Sequence, residues 1–155
     1  MSRYAIHPNF AGGASDGSTP FGGLVMVGNK VYGTTGYGGA YGSGTLYEID
    51  ETTRKERLVY SFMGGADGKL PSTGLVRDRA GNLYGATEEG GGGGTGNGTV
   101  FKVDVTGAET VLHHFAGGPA GANPSPMILD EAGNLYGTCG IGGNNFFGTI
   151  FEIEP

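Results

Sequence analysis

One phrase returns three times along the chain at a fixed interval, and that periodicity constrains the fold more than any single residue does. Tyr32, Tyr84 and Tyr136 follow one another at steps of 52 residues, inside Gly28-Asn29-Lys30-Val31-Tyr32-Gly33, Gly81-Asn82-Leu83-Tyr84-Gly85 and Gly133-Asn134-Leu135-Tyr136-Gly137. A second phrase trails each of these: Gly44-Thr45-Leu46-Tyr47, Gly98-Thr99-Val100-Phe101 and Gly148-Thr149-Ile150-Phe151. A third pairs an aromatic with two glycines: Phe10 before Gly12-Gly13, Phe62 before Gly64-Gly65, Phe115 before Gly117-Gly118. Repetition at this period marks an array of supersecondary units, none of which buries its apolar surface alone.

Each full unit reads as four short strands, which in the second copy cover 73–77, 82–87, 99–104 and 109–115. Alternation puts Thr99, Phe101 and Val103 on one side and Val100 and Lys102 on the other. The apolar runs are short and end at Gly, Asp or Asn, which argues against long helices. The 35 glycines and 7 prolines among 155 residues would imply disorder if scattered, but they recur at fixed offsets between the strands.

Sheets that are apolar on both faces must stack on one another, and radial stacking of four-stranded sheets is the β-propeller. A β-trefoil is the alternative, since it also holds three repeats of four strands. The expectation is an all-β chain with one domain, 1–155, made of blades at 20–62, 73–115 and 127–154, the last without a fourth strand. Residues 2–10 align with the fourth strands and are expected to close a ring. Three blades fall below the roughly four to eight that surround a channel. A homodimer making one six-bladed ring, each chain lending its N-terminal strand to the other's last blade, removes both exposed edges.

A net charge of −6 with nine basic residues argues against a nucleic-acid partner. No run approaches membrane-spanning length, so no membrane partner is expected. The N-terminus lacks a signal-peptide pattern, which reads as a cytosolic or mature form. Cys139 is the single cysteine, so an intrachain disulfide is excluded.

With Gly74-Leu75-Val76-Arg77-Asp78, Gly81-Asn82-Leu83-Tyr84-Gly85-Ala86-Thr87 and Gly98-Thr99-Val100-Phe101-Lys102-Val103-Asp104 in view, the chain resembles the bacterial Gloeo/Verruco, or GloVer, tandem-repeat family across residues 3–154. The resemblance implies propeller-like blades and an exported or cell-surface setting. It implies no catalytic motif. The chain departs from the family's usual pattern in having only three copies.

Long loops on a rigid scaffold are where binding resides, and two sets of them converge on one face of such a ring. They cover 36–44, 88–98 and 140–148, with 11–20, 63–71 and 116–126 beside them. The candidate ligand-binding residues are Asp16, Tyr37, Tyr41, Asp67, Glu88, Glu89, Asn123, Asn144, Asn145 and Phe146. Aromatic faces beside amides and carboxylates suit sugars. The expected role is therefore a non-enzymatic, self-assembling, lectin-like binding or scaffold module, its partners a second copy of itself and a glycan. The bland reading of the same residues is solvated loop positions, with the aromatics shielding blade edges.

The alternative is a polysaccharide hydrolase or lyase with Glu88, Glu89 or Asp67 as its acid. Glycoside cleavage uses two carboxylates at a defined separation, and adjacent residues such as Glu88 and Glu89 rarely converge on one bond. No metal site or cofactor is expected: His113 and His114 are neighbours on a strand and face opposite ways. No catalytic residue is assigned.

Overall fold

The computed structural model describes residues 9–92 and 96–155. The expected closing strand over 2–10 lies outside the described residues, except for Asn9 and Phe10. The first sheet holds β1 (Gly17–Val27), β2 (Lys30–Gly38), β3 (Thr45–Asp50) and β4 (Glu56–Ser61). The second holds β5 (Val76–Arg77), β6 (Leu83–Thr87), β7 (Thr99–Val103) and β8 (Glu109–His114). The third holds β9 (Ala122–Pro124), β10 (Ile128–Leu129), β11 (Leu135–Ile141) and β12 (Thr149–Ile153).

The first two sheets run in sequence order, β1-β2-β3-β4 and β5-β6-β7-β8, with every pair antiparallel. In the third, β9 and β10 both pair with β11, so they are two pieces of one first strand, and β12 lies at the sheet's far edge among the described residues. Each repeat thus closes its own meander. A trefoil, which pools strands from all repeats into one barrel, is excluded.

Local chemistry explains the recurring phrases. Asp78 accepts from the Asn82 N–H at 2.9 Å, the Asn82 amide at 2.7 Å and the Tyr84 hydroxyl at 3.1 Å. Asp130 repeats the clamp on Asn134 and Tyr136. The Asp and Asn side chains thereby satisfy turn amides that would otherwise face water alone. The glycine after the tyrosine has its own cause: a Cβ on Gly85 would sit 2.5 Å from the Phe101 ring, which lies across it. Blade two's first strand is shorter than the sequence predicts because the Thr73 hydroxyl, bonded to both the N–H and the C=O of Ala86 at 3.0 and 3.1 Å, replaces main-chain pairing there.

The sheets stack face to face on two apolar layers. Leu46, Phe62, Leu75, Leu83, Phe101 and Val103 fill the first joint. Ala86, Val100, Phe115, Met127, Leu135 and Cys139 belong to the second. Cys139 occupies the place that Thr35 and Thr87 hold in the other copies, and burial pushes its thiol up. The first strands converge: a Cβ on Gly22 would lie 2.7 Å from the Gly74 nitrogen, so only glycine admits the two backbones at this distance. Their edges form the hub. Between Leu46 and Tyr47, and between Val100 and Phe101, the register to the fourth strand slips by one residue. Such bulges increase twist and swing the outer strand away.

Candidate functional site

The segment leading into each blade carries the same turn. Gly17-Ser18-Thr19-Pro20, Gly68-Lys69-Leu70-Pro71 and Gly121-Ala122-Asn123-Pro124 align, and the residue before the proline is left-handed each time, with φ 58°, 60° and 53°. That conformation costs a non-glycine residue on the order of 1–3 kcal/mol. Its threefold recurrence makes it a property of the repeat. The turn hooks each blade to the loop before it: the Leu70 N–H donates to the Ser43 carbonyl at 3.1 Å and the Asn123 N–H to the Asn97 carbonyl at 3.0 Å.

Beyond the turn, the chain runs along the hub. The Glu88 N–H donates to the Leu70 carbonyl at 3.0 Å, and the Glu88 carboxylate accepts from the Ser72 hydroxyl. Ser72 follows Pro71 as Ser125 follows Pro124, and the Ser125 N–H donates to the Thr138 carbonyl at 2.8 Å. Between the inner edges of blades two and three, Ser72, Glu88, Asn123 and Ser125 line an open cavity of about 320 Å³. A carboxylate able to take or give a proton therefore stands beside two hydroxyls and an amide that suit an oxygen-rich ligand.

Of the ten residues singled out from sequence, Glu88 and Asn123 are brought together in this cavity. Glu89 turns to Lys69, with an ion pair of 2.8 Å over a second cavity of about 400 Å³ walled largely by glycine backbone. Tyr37, Tyr41 and Phe146 are exposed, as are Asn144 and Asn145, and none of the five lines the Glu88 cavity. Asp16 and Asp67 are spent on turns. Asp67 is only 3% exposed and accepts from the Met63 N–H at 2.7 Å and the Tyr60 hydroxyl at 3.1 Å. Asp16 takes the equivalent Ala11 N–H and that of Gly17. Sequence reasoning missed Ser72 and Ser125, for which the repeated Pro-Ser step was the available signal.

The two loop aspartates shape the electrostatics of the joints. Burial, and then Asp16, pushes Glu56 up to about 7, and burial with Asp67 does the same to Glu109. Burial also lowers His113, whose ring packs edge-on against Phe115 at 4.8 Å. Among the described residues, no group of three or more His, Cys, Asp or Glu is placed to hold a metal ion.

The family profile called the Gloeobacter/Verrucomicrobia repeat matches residues 76–155. The chain belongs to that family. No curated protein matches this Gloeobacter/Verrucomicrobia repeat chain. Among solved structures it is similar to a gluconolactonase of Xanthomonas campestris, at 19% identity and a TM-score of 0.55, over 92% of this chain and 40% of that one. It is also similar to a streptogramin B lyase, at 16% and 0.55 over 90% and 41%. A luciferin-regenerating enzyme gives 16% and 0.56 over 90% and 46%. At these identities the likeness is one of fold, a propeller, and the repeat chain spans less than half the length of each. All three are enzymes. The expectation of a non-enzymatic scaffold is corrected on that finding: the similar propellers named here are all enzymes.

Proposed function

We propose that this chain forms half of a propeller enzyme, a hydrolase or lyase that breaks a C–O bond in a hydroxyl-rich, carbohydrate-type substrate, with Glu88 as the proton-transferring carboxylate. One observation carries the reading: Glu88, Ser72, Asn123 and Ser125 converge on a cavity at the hub. In hydrolysis, Glu88 takes a proton from the water that adds to the acyl carbon and returns it to the ring oxygen that departs as the C–O bond breaks. In elimination, it takes the proton from the carbon beside the bond that breaks, the electron pair left behind forms the C=C bond, and the departing oxygen takes a proton from Glu88 or solvent. The Ser72 hydroxyl orients the carboxylate, while Asn123 and Ser125 bond substrate oxygens.

Glycoside hydrolysis normally uses two carboxylates, and Glu88 is the one acidic residue lining this cavity among the described residues. A reaction served by a single carboxylate, such as opening a sugar lactone or elimination from a polysaccharide, therefore fits better. The names of two similar structures, a gluconolactonase and a streptogramin B lyase, support lactone opening and elimination as reaction types. Two copies of the chain would complete a six-bladed ring carrying two such cavities.

The test is turnover of purified protein on a panel of sugar lactones, followed by acid release, and of uronate polysaccharides, followed by ultraviolet absorbance of the unsaturated product. Glu88→Gln should lose about a hundredfold or more, as expected for a general acid or base, with an unchanged circular dichroism spectrum. Wild-type protein inert on both panels, or a fully active Glu88→Gln variant, would rule the reading out.

A further inference from the structure

We infer that the two open faces of this half ring are complementary sides of one seam, and that a second copy of the same chain fills it. The inference deepens the ring closure proposed above and rests on it.

The two joints within the chain are copies of each other. At each, an aliphatic residue on the leaving face and one on the incoming face are both buried: Leu46 and Leu75 at 0% and 7% exposure, then Val100 and Met127 at 0% and 4%. By repeat position the third such pair is Ile150 and Leu24, which are 82% and 61% exposed. The prolines agree: Pro71 and Pro124 are buried in their joints and Pro20 is exposed. The hydrogen bonds Leu70 to Ser43 and Asn123 to Asn97 leave a third pair by position, the Thr19 N–H and the Phe147 carbonyl.

The incoming face of blade one is already dressed for a joint. Phe62 meets Phe101 at 5.0 Å and Phe115 meets Phe151 at 5.1 Å, each across a joint. Phe10 meets Tyr47 at 4.8 Å in the same edge-on manner, with no blade in front of it among the described residues. A second copy presents the matching leaving face by construction. This chain covers 40–46% of the length of the three similar propellers, so two copies account for most of one. Two chains about a two-fold axis then form two identical seams, and every sheet face is covered.

The experiment measures mass by light scattering and sedimentation at tens of micromolar, without substrate. Wild-type protein should run at twice the 15.7 kDa chain mass. Leu24→Asp and Ile150→Asp should each raise the dimer dissociation constant more than tenfold. Mixing the two variants should restore dimer, because in a mixed pair one seam is wild type on both sides.

A wild-type monomer would overturn the proposal and assign both faces to further repeats of a longer polypeptide. An open-ended polymer, a dimer indifferent to both substitutions, or a mixture no better than its parts would overturn it too. Both positions are exposed in the single chain, so circular dichroism should be unchanged, and the wild-type mass decides alone if a variant fails to fold. A dimer without turnover sinks only the enzyme reading, and a monomer with turnover sinks the seam and the ring closure but leaves the Glu88 site.

Discussion

Phe62 at the end of the first sheet and Phe101 in the third strand of the second meet edge to face, with ring centroids 5.0 Å apart and planes inclined at 62°. Both rings are fully buried. The contact joins two blades and fixes their spacing, because the Phe101 ring also lies across Gly85, where a side chain would collide with it. Edge-to-face pairs add about 0.5–1.5 kcal/mol to what burial alone provides.

Phe101→Ala should therefore cost roughly 3–5 kcal/mol, the range for a large-to-small change in a core that cannot collapse. Urea unfolding followed by circular dichroism checks it. A loss below about 1 kcal/mol would mean that the joint repacks.

Asn123 combines a left-handed backbone with a place in the Glu88 cavity. Asn123→Gly should leave stability unchanged or raise it by about 1 kcal/mol, since glycine relieves the strain. Turnover should fall about a hundredfold if the amide stabilises developing negative charge. Parallel melts and initial rates separate the two effects, and an unaltered rate would remove Asn123 from the site.

Glu56 and Glu109 hold their protons to about pH 7 in the fold, against an ordinary value of 4.5. The fold favours their neutral forms, so their contribution is fully present below about pH 4.5 and is lost as pH rises through about 7. Stability should drop by roughly 1 kcal/mol per group across that window, after discounting for partial exposure. Urea midpoints at pH 5 and pH 8 measure it, and Glu109→Gln should flatten the slope.

Glu48 behaves in the opposite sense. Burial would raise its carboxyl, but hydrogen bonds from Arg57, Lys30 and Tyr32 outweigh it and bring the group down to about 2. Its contribution is present above pH 4.5 and is lost as pH falls towards 2. Glu48→Gln should cost about 2 kcal/mol at pH 7, below the usual value for a broken buried pair because Lys30 and Arg57 can return to water. A calorimetric series between pH 2 and pH 7 tests it.

The turns and sheets were legible in the sequence because their chemistry is local. Asp78 and Asn82 lie four residues apart, and Gly85 lies one after the tyrosine that Asp78 holds. The site was legible only in part. Asp67 looked like a free loop carboxylate, yet the groups that claim it, the Tyr60 hydroxyl and the Met63 N–H, come from the end of the preceding blade. Ser72 and Ser125 carried no signal individually, since a serine after a proline is commonplace until two hub strands bring them together.

Periodicity alone determined how many sheets this chain makes, the order of their strands and which residues share a face, because strand alternation and turn chemistry act over a few residues. Which loop carboxylates remain available for chemistry, and which apolar faces go uncovered, was decided by the stacking of the sheets. Leu24 and Leu75 have the same identity and the same place in the repeat, yet one is 61% exposed and the other 7%. What separates them is whether another sheet lies in front, and that is a property of the assembled structure.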